Sequence, residues 1–269
     1  MGIGLKLLLV FGIGLVAGNV TGLIGASGVM VVVPAFILIG CPPADAIGAS
    51  LFIDTFASLI VAWTYHQNKN LAVKEGVWIA LGSIAGAQCG SYLAAAIPPV
   101  GLSSSFNVFL ALSALVLWLY GKRTIVPDAE GLVARWRIGG LVAALRSRPR
   151  LFGAALGVVV GVISGLLGAG GGIMILLILV FVMRFGMHEG IGTSTLIMAF
   201  TAASGAIGHA VSRNLPIGIA VVGSVGTVIG GRISATYANK VNEKSLSRVA
   251  AALFAALSVA MFFLGRRTG

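Results

Sequence analysis

The sequence predicts an all-α membrane protein, a polytopic helical bundle of about ten segments. Five lie in each half, in an inverted-topology internal repeat with glycine-rich broken helices. Three observations predict this. Of 269 residues, 58% are hydrophobic and 9% charged, with mean hydropathy +1.06, whereas a soluble domain carries roughly 25% charged residues. One glycine pattern occurs twice: Gly14, Gly18, Gly22, Gly25 and Gly28 recur as Gly157, Gly161, Gly165, Gly168 and Gly171. The Lys and Arg residues gather between the apolar runs, where they orient a membrane protein. The net charge of +11 is therefore not read as a nucleic-acid surface; basic and aromatic residues do not interleave as base stacking would need.

The first span runs from about Leu5 to Leu23 and is expected to be retained, since no small-residue cleavage site follows it. Its glycines four apart leave a helix face bare for close packing. The Gly25–Gly28 cluster then interrupts it, because glycine is a poor helix former. The run 29–39 ends at Pro42 and Pro43, which cannot continue a helix. It is short against the roughly 20 residues a crossing needs, so it is either a half-helix or an extension back through the glycines. Further segments are expected at Ala44–Tyr65, Val73–Ala96 and Ser103–Tyr120. Residues 1–120 form the first transmembrane repeat. Residues 121–150 carry seven Lys/Arg against Asp128 and Glu130 and form a basic cytoplasmic linker, with Trp136 at the interface if its middle is a surface helix.

Residues 151–269 form the second repeat, with segments near 151–167, 172–185, 190–211, 215–238 and 246–264. Ala46–Ser50 matches Gly190–Ser194, Asn70-Leu71 matches Asn214-Leu215, and Gly82–Gln88 matches Gly226–Arg232. An odd number of crossings per half inverts the second half relative to the first. With 121–150 inside, Lys69, Lys74, Arg184, Lys240, Lys244 and Arg248 also fall inside. Lys6, Arg213, Arg266 and Arg267 are exceptions. Cys41 and Cys89 show no metal-ligand or disulfide spacing and read as small fillers; no metal and no cofactor are expected.

The doubled glycine motif, with Ile47–Ser50, Gly192–Thr195 and the Gly82, Gly86, Gly90 series, resembles the sulfite exporter TauE/SafE family over nearly the whole chain outside the linker. The resemblance implies a transporter, in most members an exporter, of sulfite or a small organosulfonate such as sulfoacetate, in the inner (cytoplasmic) membrane.

The residues allow the same reading. Broken helices in matching places of two halves are the sequence pointer to a transporter's binding site, and helix N-termini present unpaired N–H groups and a positive dipole to anions. The candidate substrate-binding residues are Asn19, Thr21, Ser27 and Gly28 at the first break and Ser164, Gly170 and Gly171 at the second. Ser50, Thr193 and Ser194, which open the next spans, join them. The bland alternative is that these small polar groups only satisfy freed carbonyls or cap helices. Arg232 sits in an apolar span, where a charge is costly and its guanidinium suits an oxyanion; the alternative is that it snorkels to the cytoplasmic end. Gln88, its counterpart in the first half, is a candidate for proton coupling or gating. Asp54, an acid inside a span, is a candidate proton-coupling carboxyl or partner of a buried cation. His209 is a candidate for a proton or anion role.

Export of an anion from a negative interior needs no ATP, since each charge gains about 2.3 kcal/mol per 100 mV, and no phosphate-binding Gly-Lys-[Ser/Thr] loop is present. A uniporter and a proton-coupled carrier both fit. The expected partners are a small anion and the bilayer, with a proton and a second copy in a homodimer as further candidates. Import, another small anion or a channel are the alternatives within transport. A membrane enzyme is disfavoured, because no catalytic triad, carboxylate pair or metal cluster is evident. A structural subunit would not need two matched breaks.

Overall fold

The structure, a computed structural model, describes residues 3–94, 115, 149–167, 171–183, 185–211 and 215–268. Every regular element in them is helical. In chain order these are α1 (Ile3–Ile24), α2 (Val29–Leu38), α3 (Pro43–Gln67) and α4 (Val73–Ala94). After the undescribed stretch come α5 (Pro149–Leu167), α6 (Gly171–Leu177), which continues as a π-helical turn over Ile178–Val182, α7 (Met187–Val211), α8 (Ile217–Ala238) and α9 (Glu243–Thr268). The expected segment at 103–120 and nearly all of the basic linker lie outside the described residues. Pro149 and Arg150, at the linker's end, open α5. Four described helices are long and apolar enough to cross a membrane: Gly4–Ile24, Asp45–Gln67, Met187–Val211 and Ile217–Ala238.

The apolar runs become helices because a backbone in hydrocarbon must bond to itself. What joins the helices is the absence of side chains. A methyl group at Gly14 would collide with the backbone of Gly223, at Gly18 with Thr227 and Gly231, and at Gly22 with Ser234 and Gly231. The contacts rise together in number, so α1 and α8 run parallel. Thr227 Oγ1 donates to Gly14 O at 3.0 Å and Ser234 Oγ reaches Gly18 O at 3.4 Å, across the seam. The second seam copies the first. Gly226 and Gly230 meet Phe11 and Leu15, and their counterparts Gly82 and Gly86 meet Ala154 and Val158. The first helix of each half thus packs on the fourth helix of the other.

Between these seams, α3 and α7 cross the centre in opposite directions, since Gly192 lies against Tyr65 and Gly205 against Leu51. α2 does not prolong α1. Gly28 lies against Ala17 and Thr21, while Val32 and Phe36 share a core cluster with Val10 and Ala17, so the chain reverses at the break and α2 returns alongside α1. Of the two readings of the run 29–39, the half-helix holds.

Candidate functional site

The reversal is made by four residues. Gly25 adopts φ +61, a left-handed conformation costly for any residue with a Cβ, and its N–H still bonds Thr21 O at 2.9 Å. Ala26, Ser27 and Gly28 complete the turn in full burial or nearly so. α2 then starts in the protein interior with its first N–H groups facing away from the helix.

A carboxylate meets them. Asp54, 2% exposed on α3, accepts the Gly28 N–H at 2.9 Å through Oδ1 and the Ser27 hydroxyl at 2.7 Å through Oδ2. Ser27 Oγ in turn accepts the Val29 N–H at 3.3 Å. An acid near a helix N-terminus is electrostatically favoured, and the two donors satisfy both carboxylate oxygens.

The second break comes to the same place. A side chain at Gly172, at the start of α6, would stand 3.0 Å from both Gly25 O and Ser27 N and would collide with Met198 Sδ. Ser194 of α7 bonds Ile191 O at 2.9 Å and lies 3.4 Å from Gly25 O. The two interruptions therefore touch, with Asp54 on one side and Met198 on the other. These two residues are 144 apart, the offset that relates Ser50 to Ser194, so acid and thioether occupy equivalent places in the two halves.

The remaining sequence candidates divide by what their polar groups touch. Asn19 Nδ2 bonds Leu15 O at 2.8 Å, Thr21 Oγ1 bonds Ala17 O at 3.1 Å, and Ser50 Oγ bonds Ile47 O at 2.8 Å. Each of these bonds returns to the residue's own helix, the back-bonding typical of short polar side chains in helices. Thr193 Oγ1 accepts the Ala72 N–H at 3.1 Å and so ties α7 to the turn after α3. Arg232 is exposed on α8 near Ile229 and Ile233, which are also exposed; the structure does not bring it to the breaks. His209 Nδ1 is buried near the end of α7 without a partner among the described residues. Gly171 opens α6. Gly170 and the side chains of Ser164 and Gln88 lie outside what is described.

Sequence reasoning missed Ser58. It is fully buried and its hydroxyl has no partner among the described residues. It stands one turn beyond Asp54 on the same face of α3, as residues four apart do. The spacing from Asp54 was the available signal. Met198 was equally within reach of the repeat offset.

On the side of the turn after α3, Asn70 Nδ2 donates to Asn239 Oδ1 at 2.7 Å. Beside it, His188 Nε2 lies 3.0 Å from Ala238 O, and its Nδ1 lies 3.7 Å from Glu243 Oε1. This polar clasp joins the two halves.

Among described residues, no group of three or more His, Cys, Asp or Glu is placed to hold a metal ion. The polar groups gathered at the breaks are the Asp54 carboxyl, the Ser27 and Ser194 hydroxyls and the Gly28 N–H.

Comparison with known proteins agrees with this architecture. The profile of the family described as Sulfite exporter TauE/SafE matches residues 10–261. The chain is 27% identical over 243 residues to the Probable membrane transporter protein YunE of Bacillus subtilis (strain 168), covering 87% of this chain and 89% of the relative. It is 26% identical over 223 residues to YdhB of the same organism, also named a probable membrane transporter protein, covering 82% and 86%. It is 23% identical over 245 residues to the probable membrane transporter protein ORF9 of Sinorhizobium sp, covering 91% and 87%. No solved structure matches it. With a family match over nearly its full length and helices able to span a bilayer, the chain belongs to the TauE/SafE family of membrane transporters.

Proposed function

We infer that the protein is a secondary transporter that exports a small sulfur-containing anion, sulfite or an organosulfonate such as sulfoacetate, across the cytoplasmic membrane by alternating access. The observation that carries the reading is the contact between the two helix breaks, where Ser27 and Gly28 already hold an oxyanion, the carboxylate of Asp54. A sulfonate or sulfite presents the same oxygen chemistry to the same donors. Ser27 and Gly28, at the start of α2, are the proposed substrate contacts. Arg232, exposed near the end of α8, is assigned to the membrane interface.

The packing directions support an inverted repeat of five plus five crossings. α1 runs with α8, α4 runs with α5, and the equivalent helices α3 and α7 oppose each other. In that scheme the Asn70–Asn239 clasp lies on the cytoplasmic side and must part for loading. The chain is a multi-pass protein of the inner membrane and not an enzyme.

The test is the thermal stability of the detergent-purified protein with sulfite, sulfate, sulfoacetate, isethionate, taurine, acetate and chloride. A ligand that binds the folded state alone raises the midpoint by mass action, about 2.7 kcal/mol at one hundred times Kd. A selective rise with sulfite or a sulfonate is expected. A rise with a carboxylate and with no sulfur anion overturns the substrate class. Currents at channel rates in bilayers overturn alternating access.

A further inference from the structure

We propose that Asp54 is an internal stand-in for the substrate, and that a proton on Asp54 accompanies each anion, so a monovalent sulfonate moves together with one proton and without net charge. This rests on the anion reading above and specifies its coupling. The donors an oxyanion would need at the start of α2 are the Gly28 N–H and the Ser27 hydroxyl, and both are engaged by Asp54. Of the other polar candidates described near the first break, Thr21 and Ser194 spend their hydroxyl protons on backbone carbonyls, and Asn19, whose Nδ2 bonds Leu15 O, lies against Gly230 in the α1–α8 seam. An incoming anion must therefore displace the carboxylate. Two like charges in one enclosed site do not both stay ionised, so one takes a proton. A sulfonate stays ionised, so the proton goes to Asp54.

The second observation is Ser58. Its hydroxyl, fully buried one turn along the same helix face, has neither donor nor acceptor engaged among the described residues. Buried polar groups are normally satisfied. Ser58 Oγ provides an acceptor for the carboxyl O–H once Asp54 leaves Ser27, or a donor for the anion that enters.

Among the described residues no charged group competes for this role at Asp54, whose partners Ser27 and Gly28 are uncharged. On the elements packed against it, Lys6 lies at the start of α1, and α2 carries no titratable residue. Among described residues of α7, His188 and Glu189 lie at its start and His209 near its end. On α8, Arg232 and Tyr237 are exposed. On α3 itself, Asp45 opens the helix and Tyr65 and His66 close it. Met198, the equivalent of Asp54, adds no charge.

The balance follows. The empty carrier holds one negative charge, on Asp54. The loaded carrier also holds one, on the anion, because Asp54 is then neutral. Both forms that reorient carry the same charge, and each cycle moves one anion and one proton together, outward when the anion's own concentration gradient exceeds the opposing pH gradient.

Proteoliposomes of the full chain test this with isethionate, a monoanion. A pH gradient should accumulate isethionate on the more alkaline side by about tenfold per pH unit, the concentration ratio equivalent to one proton. A potassium–valinomycin potential of about 100 mV should accumulate none, whereas an anion uniporter would reach roughly fifty-fold. Asp54→Asn should abolish the pH-driven accumulation. As a measurement on unmodified protein, isethionate binding in weakly buffered detergent should take up about one proton per anion. The proposal is overturned by potential-driven accumulation in the wild type, by binding without proton uptake, or by pH-driven accumulation that survives in Asp54→Asn. Exchange of labelled isethionate or sulfite without any gradient reports on the substrate reading by itself. If no sulfur anion exchanges, that reading falls and takes this proposal with it. If exchange occurs and is electrogenic, the coupling alone is wrong.

Discussion

Replacing Gly18 by alanine tests the seam between α1 and α8. The added methyl would stand 2.7 Å from Gly231 N and 2.9 Å from Thr227 C, against an ordinary contact of about 3.5–4.0 Å. The methyl also collides with Thr227 O, so the helices must separate by more than an ångström. Overpacking of this kind costs about 1–3 kcal/mol. Separation also stretches the bonds from Thr227 to Gly14 O and from Ser234 to Gly18 O, each worth about 0.6 kcal/mol in a membrane protein. Against this, alanine gains up to about 1 kcal/mol in helix propensity over glycine. A methyl group added at Gly12 would have nothing within 4 Å, so that position collects the gain without penalty. Gly12→Ala should therefore unfold at equal or higher denaturant than the wild type, and Gly18→Ala about 2–4 kcal/mol below Gly12→Ala. The assay is equilibrium unfolding in mixed micelles followed by circular dichroism. Equal midpoints for the two variants would refute the close seam.

Other outcomes follow from the same geometry. Gly25→Ala meets both the positive φ and Ser194 Oγ at 2.7 Å, whereas Gly40, at φ +85, has nothing within 4 Å. Both substitutions should lose about 1–2 kcal/mol to backbone strain, and Gly25→Ala should lose more in the same unfolding assay. Tyr65→Phe removes the buried bond from its hydroxyl to Gly22 O at 3.1 Å and should lower stability by about 0.5–1 kcal/mol, measured by thermal unfolding. Cysteines at Asn70 and Asn239, in a chain with Cys41 and Cys89 replaced, should crosslink on oxidation and stop isethionate exchange until reduced. Full exchange in crosslinked protein would show that the clasp stays shut throughout the cycle.

Helix positions were readable because apolar runs and their breakers are local signals. The run expected at Val73–Ala96 is helical over its described part, Val73–Ala94, and the run 215–238 became Ile217–Ala238. The bare face of α1 was equally readable, from Gly14, Gly18 and Gly22. Its partner was not, because α8 lies in the other half and glycine has no side chain to advertise a match. The first break was evident in Gly25–Gly28, but the direction of α2 depends on packing against Ala17 and Thr21. Asp54 was recognised as an acid inside a span, yet nothing in the sequence tied it to Ser27, 27 residues away. Arg232 drew attention as a charge in an apolar segment. Its exposure depends on which side of α8 the glycines turn toward α1, since Gly230 and Gly231 pack inward and Arg232 follows them.

The exchanged seams have a consequence for biosynthesis. The hydrogen bond from Thr227 to Gly14 spans 213 residues, so the glycine face of α1 enters the bilayer long before its mate is translated. Until then that face has only lipid to cover it. The first half is thus an obligate fragment and awaits the second as a monomer awaits its dimer partner. Two genes, each encoding one half, would assemble the same seams between separate chains.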